Sequence, residues 1–263
     1  MSDAPALPVK WALGTAFSDI DLAQTLGILA ARPAGAPFAY IATPNAVHVV
    51  NYARGEPRFR AGIDGAWLRI CDSRVMARLM RAVFGIELKL ALGSDLTEQL
   101  LARIVAPDDP ITVIGGDEAL AAALRAKYGL RRLEWHSPPF GFTAHPAALQ
   151  ECIDFVAAHP ARFVFLACGA PQSEWLGLRI CQAGGATGAG LCIGSALLFA
   201  TGLTARAPAF WQRAGMEWLH RLLVDPGRMS RRLRRDQLPL LRLILKYRAD
   251  PALRKSQGKP SNP

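Results

Sequence analysis

The sequence predicts an α/β fold, a mostly parallel sheet with helices on both faces, followed by a basic helical appendage at the C-terminus. Three observations carry that prediction. Short continuous apolar runs, the mark of strands buried on both faces, recur along the chain. Each runs into a glycine, proline or polar turn and then a helical pattern, the rhythm of strand–crossover–strand units. The charge is also divided unevenly. Residues 206–263 hold 14 basic and 4 acidic side chains, the whole excess of +10, so residues 1–205 are neutral. With 263 residues, 51% apolar and 20% charged, the chain can build one large core and is excluded from global disorder.

The elements follow in order. Phe38–Ala42 reads as a buried strand that ends in Thr43-Pro44-Asn45, and Val47, Val50, Asn51 and Arg54 continue as a helix. Trp67–Cys71 is a second strand, ending at Asp72. Val75, Met76, Leu79, Met80, Val83 and Phe84 then recur at three and four residues, as on a helix with one buried face. Ser94 opens another helix, and Asp95 with Glu98 has capping-box spacing. Ile111–Ile114 is a strand leading through Gly115-Gly116 into an Ala-rich helix that reaches about Tyr128. Leu133–Trp135 is a short strand before a Pro-Pro-Phe-Gly loop. Phe163–Ala167 is the clearest strand, followed by Gly169-Ala170-Pro171 and a helix from about Glu174 to Cys181. Gly190–Ile193 is a further strand, with a helix opening at Ala196. Such a doubly wound, Rossmann-like sheet gathers ligands at the carboxyl ends of its strands. Thr43 to Asn45, Asp72, Gly115 to Gly116 and Gly169 to Glu174 all fall there.

Asp72 stands between a buried strand and a helix, where a carboxylate is able to take a proton from an attacking hydroxyl or simply to cap the helix. Gly115-Gly116 and Gly169-Ala170-Pro171 either let backbone approach a diphosphate or make turns. Neither has the spacing of a dinucleotide or nucleoside-triphosphate loop. The five histidines are scattered, with no nucleophile triad and no ligand-like spacing to the cysteines, so no metal and no cofactor is expected. Cys71, Cys152, Cys168, Cys181 and Cys192 read as reduced thiols, three of them in or beside strands. The uncharged stretch Ile180–Ala205 is long enough to cross a bilayer, but its six glycines favour a strand, a loop and a buried helix.

The tail predicts an amphipathic helix over Trp211, Met216, Trp218, Leu219, Leu222 and Leu223, then a segment rich in arginine. Arg231, Arg232, Arg234 and Arg235, with Leu240, Leu241 and Ile244, read as a face for an anionic membrane. Nucleic acid or a protein partner are the alternatives, and the apolar run 240–245 favours the membrane. The expected division is a body over 1–205, a membrane-facing appendage over 206–249 and a disordered end over 250–263.

Together these segments resemble the WecG/TagA/CpsF family, glycosyltransferase family 26, from about Asp19 to Leu245. Thr43-Pro44-Asn45-Ala46-Val47-His48 is similar to its Thr/Ser-x-Asn motif, Cys71-Asp72-Ser73 to its Asp-Gly step, and Gly93-Ser94-Asp95-Leu96 to Thr-Gly-x-Asp-Leu. Gly169–Glu174 resembles Gly-x-Pro-Lys-Gln-Glu. Arg206-Ala207-Pro208, Glu217-Trp218-Leu219-His220-Arg221-Leu222 and Pro226 with Arg228 resemble its C-terminal signature. The resemblance implies an inverting transferase on the cytoplasmic face of the membrane, active in cell-surface or exopolysaccharide synthesis. Its donor is a UDP-sugar, of N-acetylmannosamine type or a related hexose or uronic acid, and its acceptor a polyprenyl-diphosphate-linked saccharide. Asp72 is the implied base. Thr43, Asn45, Gly169, Gln172, Ser173, Glu174 and Glu217 are implied to meet substrate, and Arg206, Arg221 and Arg228 the diphosphate. No nucleic acid is implied, and a homo-oligomer is compatible with it. Three departures stand out: Ser73 for Gly, Gln172-Ser173 for Lys-Gln, and Leu90 where the family carries Arg. They point to a different donor or acceptor, or to a weakened homologue serving as a peripheral scaffold.

Overall fold

The computed structural model describes residues 7–205 and 237–250, with residues 208, 210, 211, 227, 235, 252 and 253 beside them. An antiparallel hairpin comes first, β1 (Val9–Ala12) paired with β2 (Thr15–Ser18). Both loop residues are left-handed, Leu13 at φ 50° and Gly14 at φ 80°, the geometry that two-residue hairpins require. Helix α1 (Leu22–Ala31) is opened by a reciprocal capping box between Asp21 and Gln24.

The body then alternates β3 (Ala39–Ala42), α2 (Ala46–Arg54), α3 (Pro57–Asp64), β4 (Leu68–Arg69), α4 (Arg74–Phe84), α5 (Gly93–Arg103) and β5 (Ile111–Ile114). It continues with α6 (Glu118–Tyr128), β6 (Leu133–His136), α7 (Pro146–Ala158), β7 (Phe163–Leu166), α8 (Gln172–Ala183), β8 (Ala189–Cys192) and α9 (Ala196–Thr201). Six strands, β3 to β8, form one sheet in the order β4-β3-β8-β7-β5-β6, and every pairing is parallel. The predicted fold class is therefore the one observed.

Side chains alternate along the strands. Ile41, Val113, Phe165 and Leu191 pack with α1, α5, α6 and α9 on one face. Tyr40, Ala42, Val164 and Leu166 pack with α7 and α8 on the other, and α3 lies against α8. The uncharged stretch from Ile180 resolves into the end of α8, β8 and the six-residue α9. No helix among the described residues is long and apolar enough to cross a membrane. All five cysteines are free thiols, and burial pushes those of Cys71 and Cys168 up to about 12.

Two expectations are corrected. Asp95 and Glu98 do not box a helix start, because α5 already begins at Gly93 and has no side-chain cap; Asp95 instead faces Arg74 at 3.5 Å. The last helix, α10 (Leu238–Ala249), is not a free apolar face either. Leu240, Ile244 and Tyr247 share one stripe by helical period and are 1%, 4% and 9% exposed, packed with Val49, Val50, Met76 and Met80. Of the three side chains expected to face a membrane there, only Leu241 points outward, 44% exposed, with Leu245 beside it at 62%. The amphipathic pattern is real, but its apolar face covers α2 and α4. The expected helix over 211–223 lies, beyond Trp211, outside the described residues, as do Arg231, Arg232, Arg234 and the chain end from 254. Arg235 is described and exposed.

This packing predicts that Leu240→Ala lowers unfolding stability by about 2–5 kcal/mol, read from urea titration, whereas Leu241→Ala stays within about 0.5 kcal/mol of the parent.

Candidate active site

In an open parallel sheet ligands gather where the loops leaving neighbouring strands turn to opposite faces. The ends of β3 and β8 part in this way. The chain leaves β3 into α2 and α3, which lead to the α8 face; it leaves β8 into α9, which packs on α5 and α6. The loops part and leave a crevice. Thr43, buried at the end of β3, donates its hydroxyl across the gap to the carbonyl of Cys192 at 2.9 Å.

A cavity of about 330 Å³ opens above this bond, within the size range of small-molecule sites. Thr43, Asn45, His48, Asp72, Arg74, Ser94, Gly169, Glu174, Gly194 and Ser195 contribute to its walls. Asp72 is set from two sides. Its backbone N–H donates to the carbonyl of Pro44, tying it to the β3 exit. Its Oδ1 accepts the N–H of Gly93, the first residue of α5, at 3.0 Å, and the unpaired amides of a helix start favour a carboxylate. The cap of α4 is Ser73, whose hydroxyl accepts the N–H of Met76 at 3.2 Å. Asp72 is thus spared the capping role that its sequence position allowed. Ser73 has an extended backbone, φ −154°, so serine replaces the family's glycine without strain.

Next to Pro44, Asn45 caps α2, its Oδ1 accepting the N–H of Val47 at 3.1 Å. His48, one turn on, is 3% exposed and turns Nδ1 to Asn45 and Nε2 to Glu174 Oε1 at 3.1 Å. Glu174 lies in the first turn of α8 and is 3% exposed; its second oxygen, Oε2, is buried with no hydrogen-bond partner. A buried polar atom left unpaired costs about 1–3 kcal/mol.

The structure brings Thr43, Asn45, Asp72, Gly169 and Glu174 together, as expected of them, and leaves others out. Ser173 faces the other way, its hydroxyl donating to the carbonyl of Leu166 and accepting from the N–H of Cys168, so it closes the turn into α8. Gln172 does not line the cavity. Gly115 and Gly116 end β5, two strands from the crevice, and are turn residues. A Cβ on Gly115 would stand 3.0 Å from the backbone of Ala167, and its φ of 101° suits only glycine. Leu90 bridges Cys71 in parallel and packs into the apolar cluster under α4. Arg206, Glu217, Arg221 and Arg228 lie outside the described residues.

Sequence reasoning missed His48 and Arg74. The capping spacing from Asn45 to His48 was the available signal for the first. The second offered only its place two residues after Asp72, yet Arg74 is the one lysine or arginine among the described residues that line the cavity. Gln237, just before α10, also reaches the wall, so the returning C-terminal segment borders the site. Among the described residues no group of three or more His, Cys, Asp and Glu is arranged to hold a metal ion.

The model of the Glycosyl transferase WecG/TagA/CpsF family matches the chain over residues 11–254.

Glu174 is seated by Gly62 of α3, where an added Cβ would lie 2.7 Å from the Cβ of Glu174 and 3.0 Å from its backbone carbon. Gly62→Ala is therefore expected to destabilise the protein by about 1–3 kcal/mol through overpacking against Glu174, measured by denaturant unfolding.

Proposed function

The chain belongs to this family of glycosyltransferases of cell-surface polysaccharide synthesis, and from that premise we propose that it is an inverting enzyme. It moves a sugar from a UDP-sugar to a polyprenyl-diphosphate-linked saccharide at the inner face of the membrane. The single observation that carries this reading is the placement of Asp72. It is half-buried, anchored to the β3 exit and the start of α5, and turned into a polar crevice with Thr43, Asn45 and Glu174 around it.

In the proposed reaction an acceptor hydroxyl lies against Asp72, which takes its proton as the oxygen attacks the anomeric carbon. The bond from that carbon to the UDP oxygen breaks on the opposite face, so the configuration inverts and UDP leaves with the electron pair. Thr43 and Asn45 hold ring hydroxyls. Arg74 lies where the developing diphosphate charge is met, joined by Arg206, Arg221 and Arg228 from the C-terminal segment, since a guanidinium fork matches phosphate oxygens in pairs. No step needs a metal or cofactor. The fit of Ser73 at its position and the intact surroundings of Asp72 favour an active enzyme over a scaffold.

Asp72→Asn keeps the shape but loses the base, and turnover is expected to fall by about 10²–10⁴-fold, read as UDP release together with a mass gain of one sugar on a short-chain polyprenyl acceptor. Near-parental turnover would remove Asp72 from the mechanism.

For membrane association, truncation is the wrong instrument, because α10 belongs to the core. Changing Arg231, Arg232, Arg234 and Arg235 to Gln leaves that packing in place. At about 1 kcal/mol for each cation, it is expected to release the protein from phosphatidylglycerol vesicles in co-sedimentation; unchanged sedimentation contradicts the proposal.

A further inference from the structure

Resting on the reading of this chain as a transferase that meets its acceptor at the membrane, we propose a second lipid contact, on the body rather than the C-terminal segment. The turn carrying Phe140 enters an anionic bilayer, and Arg58, Trp175 and Arg179 seat its base among the headgroups. Phe140 is fully exposed, and the loop holds it there. Gly141 stands at φ 75° and ψ 14°, and the N–H of Phe142 donates to the carbonyl of Pro139 at 3.1 Å. Residues 139–142 therefore form a type II turn with Phe140 at its corner. Pro138 and Pro139 stiffen the approach, and Phe142, 3% exposed, anchors the far side in the core against α7 and α8. A ring presented by a rigid turn gives up little conformational freedom when a partner buries it.

Position and charge identify the partner. The six strands are all parallel, so β6 delivers this loop to the end of the sheet that holds the crevice, about 14 Å from β8 at three strand spacings. Helix α3 leads down to the start of β4 and α8 departs from the exit of β7, so Arg58 and Trp175, near their starts, lie at that end too. Arg58 joins the parts. Its Nη1 donates to Thr143 Oγ1 at 3.1 Å, three residues past Phe140, and its guanidinium lies over the Trp175 ring at 5.8 Å. Arg179, one turn along α8, lies over the same ring at 6.0 Å and donates to Gln182 Oε1 at 3.0 Å. Both arginines are exposed, and among the described residues neither is paired with a carboxylate. An apolar tip with tryptophan and arginine behind it matches the layers of a bilayer, acyl chains under a belt of headgroups. The guanidinium forks meet lipid phosphates while the ring leaves water.

The test is co-sedimentation of the full chain with phosphatidylglycerol vesicles, read as the lipid concentration at half-binding. Phe140→Ala is expected to need about tenfold more lipid, as the loss of one buried aromatic ring implies. Phe140→Trp stays within about threefold of the parent, because tryptophan favours the interface. Arg58→Gln combined with Arg179→Gln also needs about tenfold more lipid or beyond, at about 1 kcal/mol for each cation. Affinity for UDP, by isothermal titration calorimetry, and turnover of a water-soluble short-chain acceptor stay at the parental level in Phe140→Ala. Melting temperatures report whether each variant folds. Unchanged sedimentation of Phe140→Ala overturns the proposal. So does a loss of UDP affinity with vesicle binding intact, which would place the ring in a nucleotide site instead. If the parent itself does not sediment with these vesicles, the membrane placement falls and this contact falls with it.

Discussion

The parting of the chain at the neighbouring ends of β3 and β8 is the constraint on which the site depends. The two strands pair side by side, yet β3 runs on into α2 and α3 on the α8 face while β8 runs on into α9 against α5 and α6. The loops diverge, and a crevice opens between them. The Thr43–Cys192 hydrogen bond fixes its floor. Asp72, though it follows the edge strand, is brought to the same crevice because its amide is bonded to Pro44 at the β3 exit. Three loops far apart in sequence thus deliver their side chains to one small volume.

The walls of that volume differ in how they are held. Asp72 is held by backbone groups, at a helix start and a neighbouring loop. Glu174 depends on a chain of side-chain contacts through His48 to Asn45, backed by the close approach of α3 at Gly62. Networks of this kind in a low-dielectric interior are strong when complete and costly when one acceptor is left over. The leftover here is Oε2 of Glu174.

Much of the sheet was legible in the sequence because its strands are continuous apolar runs, and Phe163–Leu166 and Ile111–Ile114 are as uniformly buried as their composition implies. The N-terminal hairpin was not. Its turn is Leu13-Gly14, with a leucine at φ 50°, where turn chemistry normally advertises itself with asparagine or aspartate before glycine. Helices α1, α3 and α7 also went unread; the first turn of α3 is broken by charged residues, and no side chain caps it. At the site, Asp72 was legible from its place between strand and helix. Its release from capping was not, since that depends on Ser73 taking the task. The Gly115-Gly116 pair does not line the cavity, and the close approach of the Ala167 backbone accounts for the glycine at 115, a contact that no local pattern records. His48 is a second such case. Its meaning comes from Glu174, 126 residues away, and no local pattern records that contact.

The burial of Leu240, Ile244 and Tyr247 has a consequence at the cavity, because Gln237, the residue just before α10, borders it. One stretch of the cavity wall is thus set by a helix gripped through an apolar stripe by α2 and α4. The grip couples two properties that would otherwise be separate. Loosening α10 from the body would unsettle the wall at Gln237 without touching any other residue that lines the cavity.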